Sequence, residues 1–460
     1  ASSGANTLGR KNINYKNGYC KYITVQLGYS FYYDNSKVND IEFKPCVIAE
    51  QREVLPRPQK SLVLSERVNG IIKDNGTFLS VDLGKETAGF AELSFVSSIE
   101  QEIKVGYGEF LFNGRVAVEI EGRDFSFEIK AKKGKNNLIF PLRRIAGRYL
   151  EIFFQQKIDV EFIGVVPVIY PVTVVEKKFN NALVQKIYDV SIDTLRLCMH
   201  EHYEDCPWRE QALYTLDSRH QMLFGYYAFK EREYQRSNLV LISKGLRSDG
   251  FLSLCFPNGR NRDIPIPSFS LAYFLQVCEY VIYTGDTTII DEVGDTLSTL
   301  ANSFESKIDE NGLIPVFPYP YWNFYEWTDG SHDAIPSQHN YEYKDCFHLI
   351  LNCAFVYSGK MFKEMCDMCG VEFECDFDAV KKAINNEFFD ESDGNFVLRT
   401  DDRSFKSQLG NSFALLIGLG DERTVKAIIE DENLLETSLS MLIYKYDALL
   451  AANPDNKEFI

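Results

Sequence analysis

The chain has 460 residues, of which 45% are hydrophobic and 14% aromatic, enough for two or three domains with sizeable cores and too apolar for a disordered chain. Its 66 acidic and 49 basic residues leave a net charge of -17, which argues against nucleic acid, anionic membranes and polyanionic substrates as partners. No apolar run approaches the ~18–20 residues needed to cross a bilayer.

The run ASSGAN at the beginning reads as an expression remnant or a frayed end and is set aside. From about residue 18 to 172 the chain is a series of short β runs broken by turns, among them FLSVDLG, AGFAELSFV, QEIKVGYGEF and VEFIGVVPVIY. In QEIKVGYGEF, Ile103, Val105 and Tyr107 fall on one side, the period-two pattern of a half-buried strand. Regular short strands of this kind predict a β-sandwich region over 1–172, with the Pro-rich stretch Leu55 to Lys60 as an internal connection. A boundary falls near Pro171.

From Phe179 the grammar turns helical. Helices are expected at about 179–202, 207–230, 231–244, 268–284, 288–307, 342–358, 360–369, 376–388, 410–419, 421–431 and 436–452. Eleven is close to the twelve of an (α/α)6 toroid, so the fold class expected is a β-sandwich followed by such a toroid over 173–460. Two long loops, SLCFPNGRNRDIPIPS and IPVFPYPYWNFYEWTDGSHDAIPSQHN, interrupt the helices, and long irregular loops in a compact helical domain are usually functional. The chain stops at PDNKEFI soon after a strong helix, which reads as a piece of a longer protein.

Eleven cysteines are scattered without framework spacing, several in apolar surroundings such as YFLQVCEY. This favours buried thiols in a reducing, cytoplasmic compartment. Cys366, Cys369 and Cys375 lack a fourth ligand at zinc spacing and read as thiols at a helix end. Neither a metal nor a cofactor is expected.

The chemistry concentrates in Asp205 to Asp217, DCPWREQALYTLD. Pro207 suits the first position of a helix, and a helix beginning there would put Glu210 and Asp217, seven residues apart, on one face. Asp205 would then sit just outside the positive end of that helix. A carboxylic acid facing a second carboxylate across a sugar ring is the equipment of glycoside hydrolysis. The plainer reading pairs Glu210 with Arg209, Arg219 or Lys230 on a solvated face. The loop WNFYEWTDG brings Trp322, Trp327 and Asp329 together, aromatic and acidic groups suited to a sugar face and its hydroxyls. Asp263 is a weaker pocket candidate, and His332, His339 and His348 read as structural.

At DCPWRE followed by Asp217 the sequence resembles family 78 glycoside hydrolases, the inverting α-L-rhamnosidases. VDLGKETAGFAELSF, RRIAGRYLEIF and PSFSLAYFLQVCEYVIYTGD extend the resemblance over most of the chain. It implies a carbohydrate substrate with terminal α-L-rhamnose and Glu210 as general acid. Asp205 and Asp217 would hold the sugar hydroxyls or tune the acid, with Arg209, Tyr214, Trp327 and Asp329 lining the pocket. The usual motif has one more residue between its Arg and Glu, so the register of Glu210 rests on its spacing to Asp217. Tyr214 stands where the family has Trp, and the family's base, a Glu in a Trp-Glu element, would lie beyond Ile460. Glu326-Trp327 has the reverse order and is not assigned as base. The other classes open to this sequence are a glycosidase of the same barrel for another sugar and a non-catalytic carbohydrate-binding protein. A lyase using His202 and Tyr203 is disfavoured by the acidic balance.

Overall fold

The structure is a computed structural model and describes residues 7–16, 18, 20–38, 40–46, 56–258, 264–336 and 344–454. The ASSGAN run, Leu55, Asp263, His339 and residues 455–460 lie outside the described residues. The chain divides into two compact units, one of Ala1–Ala212 with Ala228–Tyr234, the other of Leu213–Tyr227 with Gln235–Ile460.

The first unit is rich in β-structure. Alternating apolar residues build a ten-stranded sheet around one 20-residue strand, Phe78–Ser97. It pairs with Ile145–Phe153 and Ile158–Ile169, and with Gly134–Ile139 and Ile71–Asp74. The sequence reads FLSVDLG and AGFAELSFV as separate runs; in the fold they are one strand whose register against Ile145–Phe153 slips between Asp82 and Thr87. Gly84, at φ +82°, lies in that irregularity, where this strand carries three more residues than its partner. Ile103, Val105 and Tyr107 are all buried, beside Phe95, Phe127, Ile129 and Ile152.

Between Gln101–Gly108 and Ser126–Ala131 the chain leaves the sheet for two small hairpins. Leu111–Phe112 pairs with Arg115–Val116, and Glu119–Ile120 with Arg123–Asp124. Each is closed by two residues of positive φ, Asn113-Gly114 at 50° and 76° and Glu121-Gly122 at 50° and 76°. These are the mirror-image turns whose twist matches that of the paired strands. The first helix, α1 (Ala182–Leu197), belongs to this unit and starts where the Asn181 side chain accepts the N–H groups of Leu183 and Val184.

The second unit is helical. Its described helices are α2 (Thr215–Ala228), α3 (Glu233–Ser243), α4 (Pro267–Thr284), α5 (Ile290–Glu305), α6 (Leu349–Cys369), α7 (Phe377–Phe388), α8 (Gln408–Leu416), α9 (Glu422–Glu430) and α10 (Leu442–Ala452). From α4 to α9 two kinds alternate. In α4 nearly every residue from Pro267 to Val281 is buried, the mark of a helix enclosed on all sides. In α5 only the stripe Val293, Thr296, Leu297, Leu300, Ala301 and Phe304 is buried, and in α7 only Phe377, Val380, Ile384 and Phe388. Helix α4 packs on α6, α6 on α8 and α8 on α10, while α7 packs on α6 and α9 on α8.

One expected boundary disappears. Gly359 suggests a break between helices at 342–358 and 360–369, yet α6 runs through it. Its missing side chain makes room for Phe377 of α7: a Cβ there would lie 2.3 Å from that ring. A glycine placed for close packing is locally indistinguishable from one that ends a helix.

Candidate functional site

Asp205 to Ala212 is a closed loop, not the start of a helix. The Asp205 N–H donates to the Ala212 carbonyl at 2.9 Å, and the Ala212 N–H returns to Asp205 Oδ1 at 2.9 Å. Residues 207–210 make a turn, and Gln211 then takes a left-handed φ of 54° that no helix accommodates. Its side-chain Nε2 donates to the Pro207 carbonyl at 2.7 Å, tying the turn across itself. Helix α2 begins only at Thr215. The expected shared helical face of Glu210 and Asp217 is therefore overturned: Glu210 precedes the helix and Asp217 lies in its first turn. Nor does Asp205 sit at a helix end; its carboxylate closes its own loop.

Trp208 fixes this loop in the first unit. Its indole is 1% exposed within the sheet's hydrophobic core. It lies 4.6 Å from the Phe125 ring and edge-on to Phe110 at 6.2 Å. With the neighbouring Trp208 buried, the Glu210 side chain remains 18% exposed and is held at both oxygens. Arg123 Nη2 donates to Oε1 at 3.2 Å, and Gln26 Nε2 donates to Oε2 at 3.2 Å. The guanidinium foreseen for Glu210 in the plainer reading is thus real, but it is Arg123, out of the hairpin Glu119–Asp124, and not Arg209, Arg219 or Lys230.

Burial pushes the Asp205 carboxyl up to about 6, with the Glu210 charge adding to it. Bonds from Cys206 Sγ, at 2.9 Å to Oδ2, and from the Ala212 N–H pull the other way. Arg209 faces Glu109, whose carboxyl burial raises and Arg209 draws back. Glu109 in turn acts on Glu86, whose carboxyl burial pushes up to about 8; Glu86 Oε1 is buried with no hydrogen-bond partner among the described residues. Sequence reasoning missed this carboxyl pair and Arg123 alike. Each lies on or beside a strand far from 205–217 in the chain, and no local pattern marks it.

The remaining candidates belong to the second unit. Tyr214 bridges Cys255 through its backbone and packs with Trp322 on a small cluster of Ile266, Phe269 and Phe324. Trp327 is 67% exposed and stands edge-on to Phe324 at 4.7 Å and to Trp322 at 5.8 Å. Tyr214 and Trp327 are thereby brought to one aromatic shelf around Phe324. Asp329 is exposed on the same loop.

The shelf is braced from below by groups the sequence did not single out. Trp322 Nε1 donates to the Asp333 carbonyl at 2.9 Å, and the Asp333 carboxylate takes Arg399 Nη1 at 2.8 Å and Asn323 Nδ2 at 3.1 Å. Glu326 is 2% exposed and accepts the Ser438 N–H at 2.6 Å. His348 is structural, as expected. Its Nδ1 accepts the Ile350 N–H at the start of α6, which leaves Nε2–H to donate to Gly330 at 3.0 Å. Burial keeps it neutral, its pKa lowered to about 3. His332 forms a backbone bridge to Phe324. Among the described residues no group of three or more His, Cys, Asp and Glu is arranged to hold a metal ion.

With this geometry in view, comparison with known proteins is decisive. Residues 176–438, more than half of the chain, match the family described as the bacterial alpha-L-rhamnosidase 6 hairpin glycosidase domain. The chain belongs to this family of bacterial α-L-rhamnosidase six-hairpin glycosidases. The matched segment contains the closed loop, α2 and the aromatic shelf.

Three solved structures share this rhamnosidase fold. One is a GH78 family rhamnosidase of Bacillus sp. GL1, 22% identical with a TM-score of 0.72, over 82% of this chain and 40% of that one. Another is an α-L-rhamnosidase from Dictyoglumus thermophilum, 19% identical with a TM-score of 0.72, over 95% and 51%. A rhamnosidase from Klebsiella oxytoca with rhamnose bound is 16% identical with a TM-score of 0.66, over 92% and 81%. The chain thus spans about two fifths of the first and half of the second. Among curated proteins no relative matches it.

Proposed function

We propose that this chain carries the catalytic core of an inverting glycoside hydrolase that removes terminal α-L-rhamnose, with Glu210 as general acid. The observation that carries this reading is the set of acids Asp205, Glu210 and Asp217, lying within the family segment 176–438. In this reading the chain is a β-sandwich over 1–172 and an (α/α)6 toroid over 173–460. The alternation of enclosed and one-faced helices supports the toroid. So does a small cavity of about 30 Å³ where Leu216 of α2, Leu271 of α4, Ile350 of α6, Phe413 of α8 and Tyr444 of α10 meet.

Glu210 gives its proton to the glycosidic oxygen as the C1–O bond breaks. Water activated by a second carboxylate adds to C1 from the opposite face and inverts the configuration. Glu326 is not that carboxylate, because it is buried and committed to the Ser438 N–H. Asp205 shapes the loop that carries the acid, while Asp217, Arg209, Tyr214, Trp327 and Asp329 serve the sugar.

The test is Glu210→Gln in the full-length protein, assayed on phenyl α-L-rhamnoside, whose poor leaving group needs the acid. Turnover should fall by about 10²–10⁴; an unchanged rate would remove Glu210 from the role. Tyr214, where the family has Trp, makes the sugar worth checking. In a panel of phenyl glycosides, preference for another sugar would keep the mechanism and replace the substrate.

A further inference from the structure

The two oxygens of Glu210 are gripped by two residues from remote parts of the β-rich unit. Gln26 lies in the turn between the short paired strands Tyr22–Thr24 and Gly28–Tyr29, and Arg123 opens the strand Arg123–Asp124. Those two strand segments, Tyr22–Thr24 and Arg123–Asp124, pack on one another, so the donors arrive side by side. Arg123 follows directly on Glu121-Gly122, whose paired positive φ angles make the tightest of hairpin turns. It is also ion-paired to Glu121, so its guanidinium is held from both ends. Only 22% of its side chain is exposed. Phe110 and Phe125, from the same excursion of the chain, flank Trp208 two residues before Glu210.

We propose that Arg123 is a positioning residue for the proton donor: with Gln26 it orients the Glu210 carboxyl and stabilises the negative charge left there as the proton departs. The inference rests on Glu210 being the general acid. A neutral carboxylic acid that donates in the transition state becomes a carboxylate at that moment. A cation already fixed 3.2 Å away meets this charge without rearranging. A free side chain would have to search for the same geometry, and misplacement by about 1 Å costs on the order of a hundredfold in rate.

The test compares two leaving groups in the full-length protein. An acid that is displaced or left without its counter-charge matters most when the departing oxygen is strongly basic. It matters least when the aglycone leaves unaided. Arg123→Gln should therefore lose about a hundredfold in kcat on a methyl α-L-rhamnoside and only a few-fold on the 2,4-dinitrophenyl glycoside. Arg123→Lys should recover part of the selective loss, and Gln26→Ala should reproduce a smaller version of it. In a Glu210→Gln background, adding Arg123→Gln should leave the ratio of the two rates where Glu210→Gln alone puts it, because the two residues act as one unit. Equal losses on both substrates, or none, with the fold intact by circular dichroism, would overturn the positioning role. Full activity of Glu210→Gln on the methyl glycoside would instead overturn the assignment of the acid itself. If Arg123→Gln does not fold, Gln26→Ala and Arg123→Lys decide by the same ratio.

Discussion

Asp205 spends both carboxylate oxygens inside its own loop, on the Ala212 N–H and the Cys206 thiol. The residue is half-buried, and that burial raises it to about 6, against about 3.9 for a free aspartate. A carboxyl raised on folding adds stability that is complete below about pH 4 and is lost as pH rises through about 6. Asp205→Asn keeps an acceptor for the Ala212 N–H and removes the titration. Thermal melts should show the variant gaining on the parent between pH 4.5 and pH 7.5, by about 2 kcal/mol. Parallel melting profiles across that range would mean a solvated Asp205. The same residue illustrates a limit of local reading. An acid two positions before a proline looks like a helix start, and here it is the latch of a turn.

At the scale of elements, the signals that were legible are those with a local cause. Pro267 opens α4, and Gly285, left-handed at φ 70°, closes it, within a residue of expectation. Asp421 and Thr424 form a capping box at the start of α9, as their spacing allows. Gly359 has no local cause, since its reason is Phe377 across the helix interface. On helix propensity, Gly359→Ala should stabilise α6 by about 1 kcal/mol. The added Cβ would instead collide with the Phe377 ring at 2.3 Å, and overpacking costs about 1–3 kcal/mol. A net loss of stability of up to about 2 kcal/mol is expected in denaturant titration, partly recovered by Phe377→Leu in the double variant. Stabilisation by the single change would show that the ring moves aside freely.

For the molecule as a whole, none of the eleven cysteines is in a disulfide, and six of them are buried. A thiol reagent should modify Cys46 at once, reach the half-buried Cys20, Cys206, Cys369 and Cys375 slowly, and count eleven thiols only after denaturation. Fewer than eleven in the denatured, unreduced protein would reveal a disulfide. Among the described residues no helix is long and apolar enough to cross a membrane.

Periodicity and composition by themselves determined a β-rich part followed by a helical part, and motif spacing alone selected Asp205, Glu210 and Asp217. Both depend on which side chains recur at which interval, and that is written in the chain. Tertiary structure decided how the acid is held. Trp208 is drawn into the sheet's core, Gln211 turns left-handed, and Arg123 and Gln26 come from 87 and 184 residues away to meet Glu210. Pairing over such distances is set by packing and hydrogen-bond closure, which leave no pattern along the sequence.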